Sequence, residues 1–295
     1  MSEGYSETGE APADQGLLTR DPVVRRIGEV VSLVFLLAIG SLVGWIVLTQ
    51  VNTRLLRVIF PRFVEAFGLV LQVIVAASAL SVLLGIFVGL GRISSSGITS
   101  RIAKGYVEFF RGTPLLFQLF VIYFGIPRLW ATGEFPIANW AVPAAIIGLT
   151  LNHAAYSGEA IRGGINAVPN GQLEAARSLG MSRVQAMREV VLPQAWRNAL
   201  PAIGNDQIIL VKDTSLLTVI AVPEIMSVFR NVNSTTLDPW TPLLWVCLFY
   251  LAITMSMSLL VSLLEERADW DISDEDRSRL GGLLSDIGTE MGRRR

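Results

Sequence analysis

Long uncharged runs alternate with short charged segments along this chain, and that alternation predicts a membrane bundle. Val30 to Gln50 is 21 residues without a charge. At about 1.5 Å rise per residue it extends roughly 31 Å, enough to cross the hydrocarbon of a bilayer. It is too long for a signal-peptide core and lacks a small-residue cleavage site, so it reads as an anchor. Phe67 to Gly91 (25 residues) and Pro239 to Leu264 (26 residues) are equally uncharged. Gly112 to Pro127 is shorter, with Phe109, Phe110 and Trp130 as interfacial flanks. Ile137 to Gly158 and Ala199 to Val222 complete a set of six spans, although the last contains Asp206, Lys212 and Asp213. The expected fold class is an all-α membrane protein with six transmembrane helices and no internal repeat.

One stretch breaks the pattern. Glu174 to Pro193 is amphipathic and punctuated as two short helices with a turn between them. Gly180 suits a left-handed residue closing the first. Ser182 and Gln185 have capping-box spacing for the second. Val184, Met187 and Val191 follow at i, i+3, i+7, giving one apolar stripe. Pro193 lacks an amide hydrogen and is expected to break or kink that helix. A helical pair between two spans suits docking at the membrane surface.

Charge orients the bundle. An even number of spans puts both ends on one side. Segments 1–29, 92–111, 159–198 and 265–295 hold 18 Lys and Arg, whereas 51–66, 128–136 and 223–238 hold 5. The excess places both termini and the Glu174–Pro193 loop in the cytoplasm. Arg54, Arg57 and Arg62 run against this count, and an amphipathic helix on the outer surface accommodates them. Residues 1–29 are polar and acidic and read as a disordered extension. The acidic tail 266–295 reads as a solvated cytoplasmic segment.

Composition narrows the function. The chain has 295 residues, 52% hydrophobic and 17% charged, against roughly 25% charged in soluble domains. Mean hydropathy is +0.51. A net charge of -1 gives no basis for a nucleic-acid partner. One histidine and one cysteine, Cys247, leave no zinc constellation and no internal disulfide. No Gly-x-x-x-x-Gly-Lys-Ser/Thr loop occurs, so the chain is expected to need no cofactor and to bind no ATP itself.

The order Glu174-Ala175-Ala176, three residues, Gly180, nine residues, Val190, then Leu192-Pro193 resembles the cytoplasmic loop of permease subunits of binding-protein-dependent ABC importers. The stretches Phe109 to Gln118, Leu151 to Glu159 and Val211 to Leu216 are similar to the polar amino acid permeases. The resemblance covers roughly 67–265. It implies a five-helix transmembrane domain there, with 30–66 as an extra helix and outside loop. It implies a translocation path shared with a second permease chain, identical or related. ATPase subunits would dock on the loop, and an extracytoplasmic solute-binding protein would deliver a polar amino acid. The implied location is the bacterial plasma membrane.

Two groups are candidates for the path. Lys212 and Asp213, followed by Thr214, are charges inside a span, where unpaired charges usually pair or line a wet cavity. Either they border the path or they form a structural ion pair. Asn152, His153 and Tyr156 lie within one helical turn. Either they meet a solute or they glue helices by hydrogen bonds. His153 departs from the small residue expected in similar permeases. Arg111-Gly112-Thr113-Pro114 reads as a helix opening anchored at the inner surface, and Glu159 with Arg162 as an interfacial pair. An ion-coupled carrier or channel remains the alternative function, with the intramembrane charges as its coupling site. A membrane scaffold is a third. The amphipathic loop favours the importer, because a self-contained carrier needs no docking element.

Overall fold

The computed structural model describes the backbone from Pro22 to Arg293 and side chains from Val23 to Arg267; residues 1–21 and the side chains of the acidic tail lie outside the described residues. Ten α-helices and no strand occur among the described residues. They fall into two units, Met1–Thr53 and Arg54–Arg295.

Among the described residues the first unit holds one helix, α1 (Pro22–Gln50). It takes in residues 22–29 as well as the uncharged run, and Arg25 pairs with Glu29 one turn on, at 2.8 Å.

The second unit begins with α2 (Thr53–Arg92), 40 residues long. The amphipathic stretch around Arg54, Arg57 and Arg62 is helical as expected, but it is fused to the span that follows. Its buried Ile59, Phe63 and Ala66 recur at helical spacing opposite the exposed arginines. Two shorter helices follow, α3 (Gly97–Gly112) and α4 (Leu115–Phe120). From α4 the chain tightens through a π turn (Val121–Gly125) and a 3-10 turn (Ile126–Leu129). Then come α5 (Ala141–Asn166), α6 (Asn170–Ser178) and α7 (Arg183–Ala186). A π turn (Met187–Val191) leads into α8 (Leu192–Asp213), which ends in a 3-10 segment (Thr214–Ile220). The last two are α9 (Ile225–Thr236) and α10 (Trp240–Arg293).

Helices Val23–Gln50, Thr53–Arg92 and Trp240–Arg267 are each long and apolar enough to cross a membrane. A fourth span arises if α3 and the α4 segment, bent by 102°, count as one. The expected fourth and fifth spans, α5 and α8, are long enough but less apolar. They carry Asn152, His153, Asp206, Lys212 and Asp213, and all but Lys212 and Asp213 are buried in the bundle.

The core sits where α2, α4, α5, α8, α9 and α10 meet, around Phe63, Val70, Leu119, Leu149, Leu210 and Ile225. Phe60, Phe63 and Phe67 of α2 pack on Trp245 and Phe249 of α10, with Phe60 and Trp245 ring centroids 4.7 Å apart. The Trp245 indole also donates to the Leu56 carbonyl at 2.9 Å, so the polar edge of this aromatic seam is satisfied. Helices α5 and α8 approach so closely that a Cβ on Gly164 would collide with the Ala195 carbonyl oxygen. Gly85 of α2 does the same against α5, where a Cβ would lie 2.6 Å from that of Ser157. Close small-residue crossings of this kind replace the hydrophobic drive that is absent in lipid.

Candidate functional site

The site is built on the break between α3 and α4. Helix α3 stops at Gly112, because Thr113 and Pro114 are both extended. A residue before proline avoids the helical region, which accounts for the stop. The exposed carbonyls at this break are collected by one side chain. The Gln118 amide donates to the Phe110 carbonyl (2.9 Å), the Thr113 carbonyl (3.1 Å) and the Thr113 hydroxyl (2.8 Å). Asn152 of α5 donates in turn to Gln118 Oε1 at 2.9 Å and to the Phe110 carbonyl at 3.2 Å. Asn152 therefore fastens α5 to the break.

One residue on, His153 faces α8. Its Nδ1 lies 2.9 Å from Asp206 Oδ1, and its Nε2 lies 3.4 Å from Asp213 Oδ2. Ser157 donates to the other Asp206 oxygen at 3.4 Å. Asp206 and Asp213 are seven residues apart on α8, two turns along one face, so both carboxylates present to the same imidazole. His153 is 1% exposed, whereas 30% of the Asp213 side chain is exposed.

His153, Asp206 and Asp213 wall a cavity of about 410 Å³ together with Arg111, Thr113, Asn152 and Tyr156. The Arg111 guanidinium lies 5.2 Å from the Tyr156 ring centroid, within cation–π range. It also approaches Glu159 Oε2 at 3.9 Å. Glu159 is the hub of the ion pairs beside the cavity. Arg162 holds it through two contacts to Oε2, at 3.0 and 2.8 Å, and Arg92 of α2 donates to Oε1 at 2.9 Å. Burial pushes the Glu159 carboxyl up, but hydrogen bonds from Arg162 and Arg92 outweigh it and hold it below the usual carboxylate range. The expected Glu159–Arg162 pair is present and enlarged by two further arginines.

The candidates at the end of α8 separate. Asp213 lines the cavity and Lys212 does not; Lys212 is exposed. Thr214 is buried below the cavity wall. Its hydroxyl donates to the Val211 carbonyl at 2.7 Å and stands 3.4 Å from the Tyr250 hydroxyl, which reaches Glu224 at 3.3 Å. Asp206 and Gln118 were not among the sequence candidates. The seven-residue spacing from Asp213 was the available signal for Asp206. Gln118 carried none beyond its place in the Phe109–Gln118 stretch.

The amphipathic loop has the expected punctuation. Gly180 has φ of +87°, in the left-handed region. The Ser182 hydroxyl accepts from the Gln185 amide at 3.2 Å, and the Gln185 side chain accepts from the Ser182 amide at 2.9 Å. Pro193 does not break the second helix. A π turn just before it changes the hydrogen-bond spacing, and the chain continues directly into α8. Val168, Val191 and Ala195 pin the loop to the bundle. Ala176 is buried while Glu174 and Ala175 are exposed, and Leu192 and Pro193 form the first turn of α8. Leu179 and Val184 remain 82% and 77% exposed at the apex.

Residues 81–270 match the family described as binding-protein-dependent transport system inner membrane component. This chain belongs to that family. A probable amino-acid permease protein of Bacillus subtilis, YxeN, is 39% identical over 208 residues, covering 70% of this chain and 91% of the relative. The nopaline transport system permease protein NocM of Agrobacterium fabrum is 37% identical over 232 residues, 76% of this chain and 92% of the relative. Among solved structures, a crystal structure of an amino acid ABC transporter with histidines is similar at a TM-score of 0.67 and 36% identity. That match covers 74% of this chain and all of the other. Family membership accounts for the membrane-spanning helices and for a loop suited to docking. It also makes this a multi-pass transport component of an inner membrane.

Proposed function

We propose that this chain is the permease subunit of an ATP-driven amino acid importer whose solute path runs through the cavity between Arg111 and Asp213. The observation that carries this reading is the arrangement at the α3–α4 break. Charges of both signs converge there on a cavity within the helical bundle, where charge is retained for function. Amino acid solutes are supported by the names of the relatives. The Arg111 and Asp213 ends offer partners for a carboxylate and for a cationic group at the far end of such a solute.

Coupling is assigned to Glu174, Ala175, Ala176, Gly180, Leu192 and Pro193, with the exposed Leu179 and Val184 as the apolar contact for a separate ATPase subunit. ATP hydrolysis belongs to that partner, since no phosphate-cradling loop occurs in the chain. A second permease chain would complete the path, and an extracytoplasmic solute-binding protein would load it. Rigid-body motion of the loop then biases the bundle between two accessible states. The 18-to-5 excess of Lys and Arg supports cytoplasmic termini. A cysteine placed at Gly133 should react with an impermeant reagent added outside sealed cells.

The test is uptake into vesicles holding the complete importer. Uptake that depends on ATP and on loaded binding protein, and that falls in Asp213→Asn with assembly intact, supports the reading. Uptake driven by an ion gradient without ATP would replace it with the carrier alternative.

A further inference from the structure

This inference rests on the Arg111–Asp213 cavity being the solute path, and it concerns which solute the cavity selects. Arg111, His153, Asp206 and Asp213 line the cavity, and they are unevenly placed. Arg111 stands at the α3–α4 break. It is the loosest of three cations around Glu159, at 3.9 Å, while Arg162 and Arg92 reach that carboxylate at 2.8 and 2.9 Å. Its guanidinium is therefore free to accept a second anion. The opposite wall carries two carboxylates and one imidazole. The Nδ1 side of His153 is hydrogen-bonded to Asp206. The Nε2 side is buried without a well-formed hydrogen bond and points at Asp213 across 3.4 Å.

No lysine or arginine among the described residues pairs with Asp206 or Asp213; His153 is the partner of both. Lys212, the nearest cation in sequence, is not on the cavity wall. Two carboxylates at this depth thus share one imidazole, and the Asp213 side chain keeps an open face toward the cavity. Carboxylates in hydrocarbon surroundings need a cationic partner.

We propose that the cavity selects amino acids with a positively charged side chain. The α-carboxylate is held at Arg111 and the side-chain cation at Asp213, beside the Nε2 face of His153. An ammonium or a guanidinium meets this requirement. The volume of about 410 Å³ falls within the roughly 300–1,000 Å³ range of small-molecule sites. An amide side chain brings no cation to the open face of Asp213, which keeps only its contact with His153. A carboxylate side chain meets two like charges.

The test is equilibrium binding of radiolabelled L-lysine, L-glutamine and L-glutamate to the purified permease–ATPase complex, without the solute-binding protein. Omitting that protein removes its own selectivity. Lysine should bind about tenfold or more tightly than glutamine, as a charge-assisted contact allows, and glutamate weakest. Asp213→Asn should abolish the lysine preference, lysine affinity falling to that of glutamine, and Asp213→Glu should retain the preference. Equal binding of lysine and glutamine by the unaltered complex would overturn the proposal. So would an equal loss of both in Asp213→Asn. If none of the three binds at millimolar concentration to an assembled complex that transports, the path reading itself fails, and this inference with it.

Discussion

His153 Nδ1 and Asp206 Oδ1 lie 2.9 Å apart, buried, on two helices whose contributing residues are 53 positions apart in the chain. The contact fixes the rotation of α5 against α8, and it aims the second ring nitrogen at Asp213.

The two carboxylates should therefore respond differently to substitution. Asp206 is buried and accepts from both His153 and Ser157. Asp206→Ala leaves the imidazole and the hydroxyl without their partner, at a cost of about 3–5 kcal/mol for a broken buried pair. Thermal unfolding of the purified complex should show a lowered midpoint. Asp213→Asn is nearly isosteric and half-open, so the midpoint should hold while uptake falls. Equal midpoints for both variants would mean that the α5–α8 clamp contributes nothing.

Gln118 should behave as the keystone of the α3–α4 break. Gln118→Leu removes its hydrogen bonds to Phe110 and Thr113 and takes away one of the two acceptors of the Asn152 amide. Each buried group left unsatisfied costs about 1–3 kcal/mol. Uptake should drop and limited proteolysis should open near residues 111–116. Unchanged uptake and protease resistance would show the break to be held elsewhere.

How far these features can be read from the sequence depends on their range. The loop was readable because its signals are local. Gly180 and the Ser182–Gln185 box each involve residues within three positions, and their geometry follows from side-chain chemistry alone. The longest helices were readable because lipid demands unbroken apolar runs. The clamp was not, since nothing local to residue 153 specifies a partner at 206. The charges at 212 and 213 look alike in sequence, yet a rotation of about 100° between adjacent helical positions sends one to the cavity and one away. At Pro193 the choice between a stop and a local distortion was likewise not set locally: a π turn precedes it, and Val191 and Ala195 on either side pack against Val168.

At the loop, Gly180→Val forces a β-branched residue into the left-handed region, at about 1–2 kcal/mol for the backbone. No neighbouring atom lies within 4 Å of where its Cβ would sit, so strain rather than a clash is the cause. Gly180→Asn should be milder, since asparagine tolerates this region. Receptor-stimulated ATP hydrolysis should fall in the order wild type, Asn, Val. Leu179→Asp and Val184→Asp touch only the exposed apex and should release the ATPase in copurification without lowering the unfolding midpoint.

The Glu159 hub predicts a pH dependence on the acid side. Arg162 and Arg92 hold its folded-state carboxyl below the usual carboxylate range, so its contribution to stability is present above the unfolded value and is lost as pH falls through the lower folded one. Glu159→Gln should lower the midpoint at pH 7 and flatten the decline below pH 4.5. A decline of unchanged steepness in the variant would assign the acid sensitivity to other carboxylates.

The claim that solute passes between Arg111 and Asp213 is tested most directly by protection of a cysteine in the cavity wall. Ile209 lines the cavity, and Cys247 is the chain's single cysteine. Ile209→Cys in a Cys247→Ala chain would be assembled with its partners in vesicles and treated with a thiol-specific reagent. Saturating transported solute should slow modification at 209 and leave modification of a control cysteine at Gly133 unchanged. An unaltered rate at 209, in vesicles that take up the solute, would place the path elsewhere.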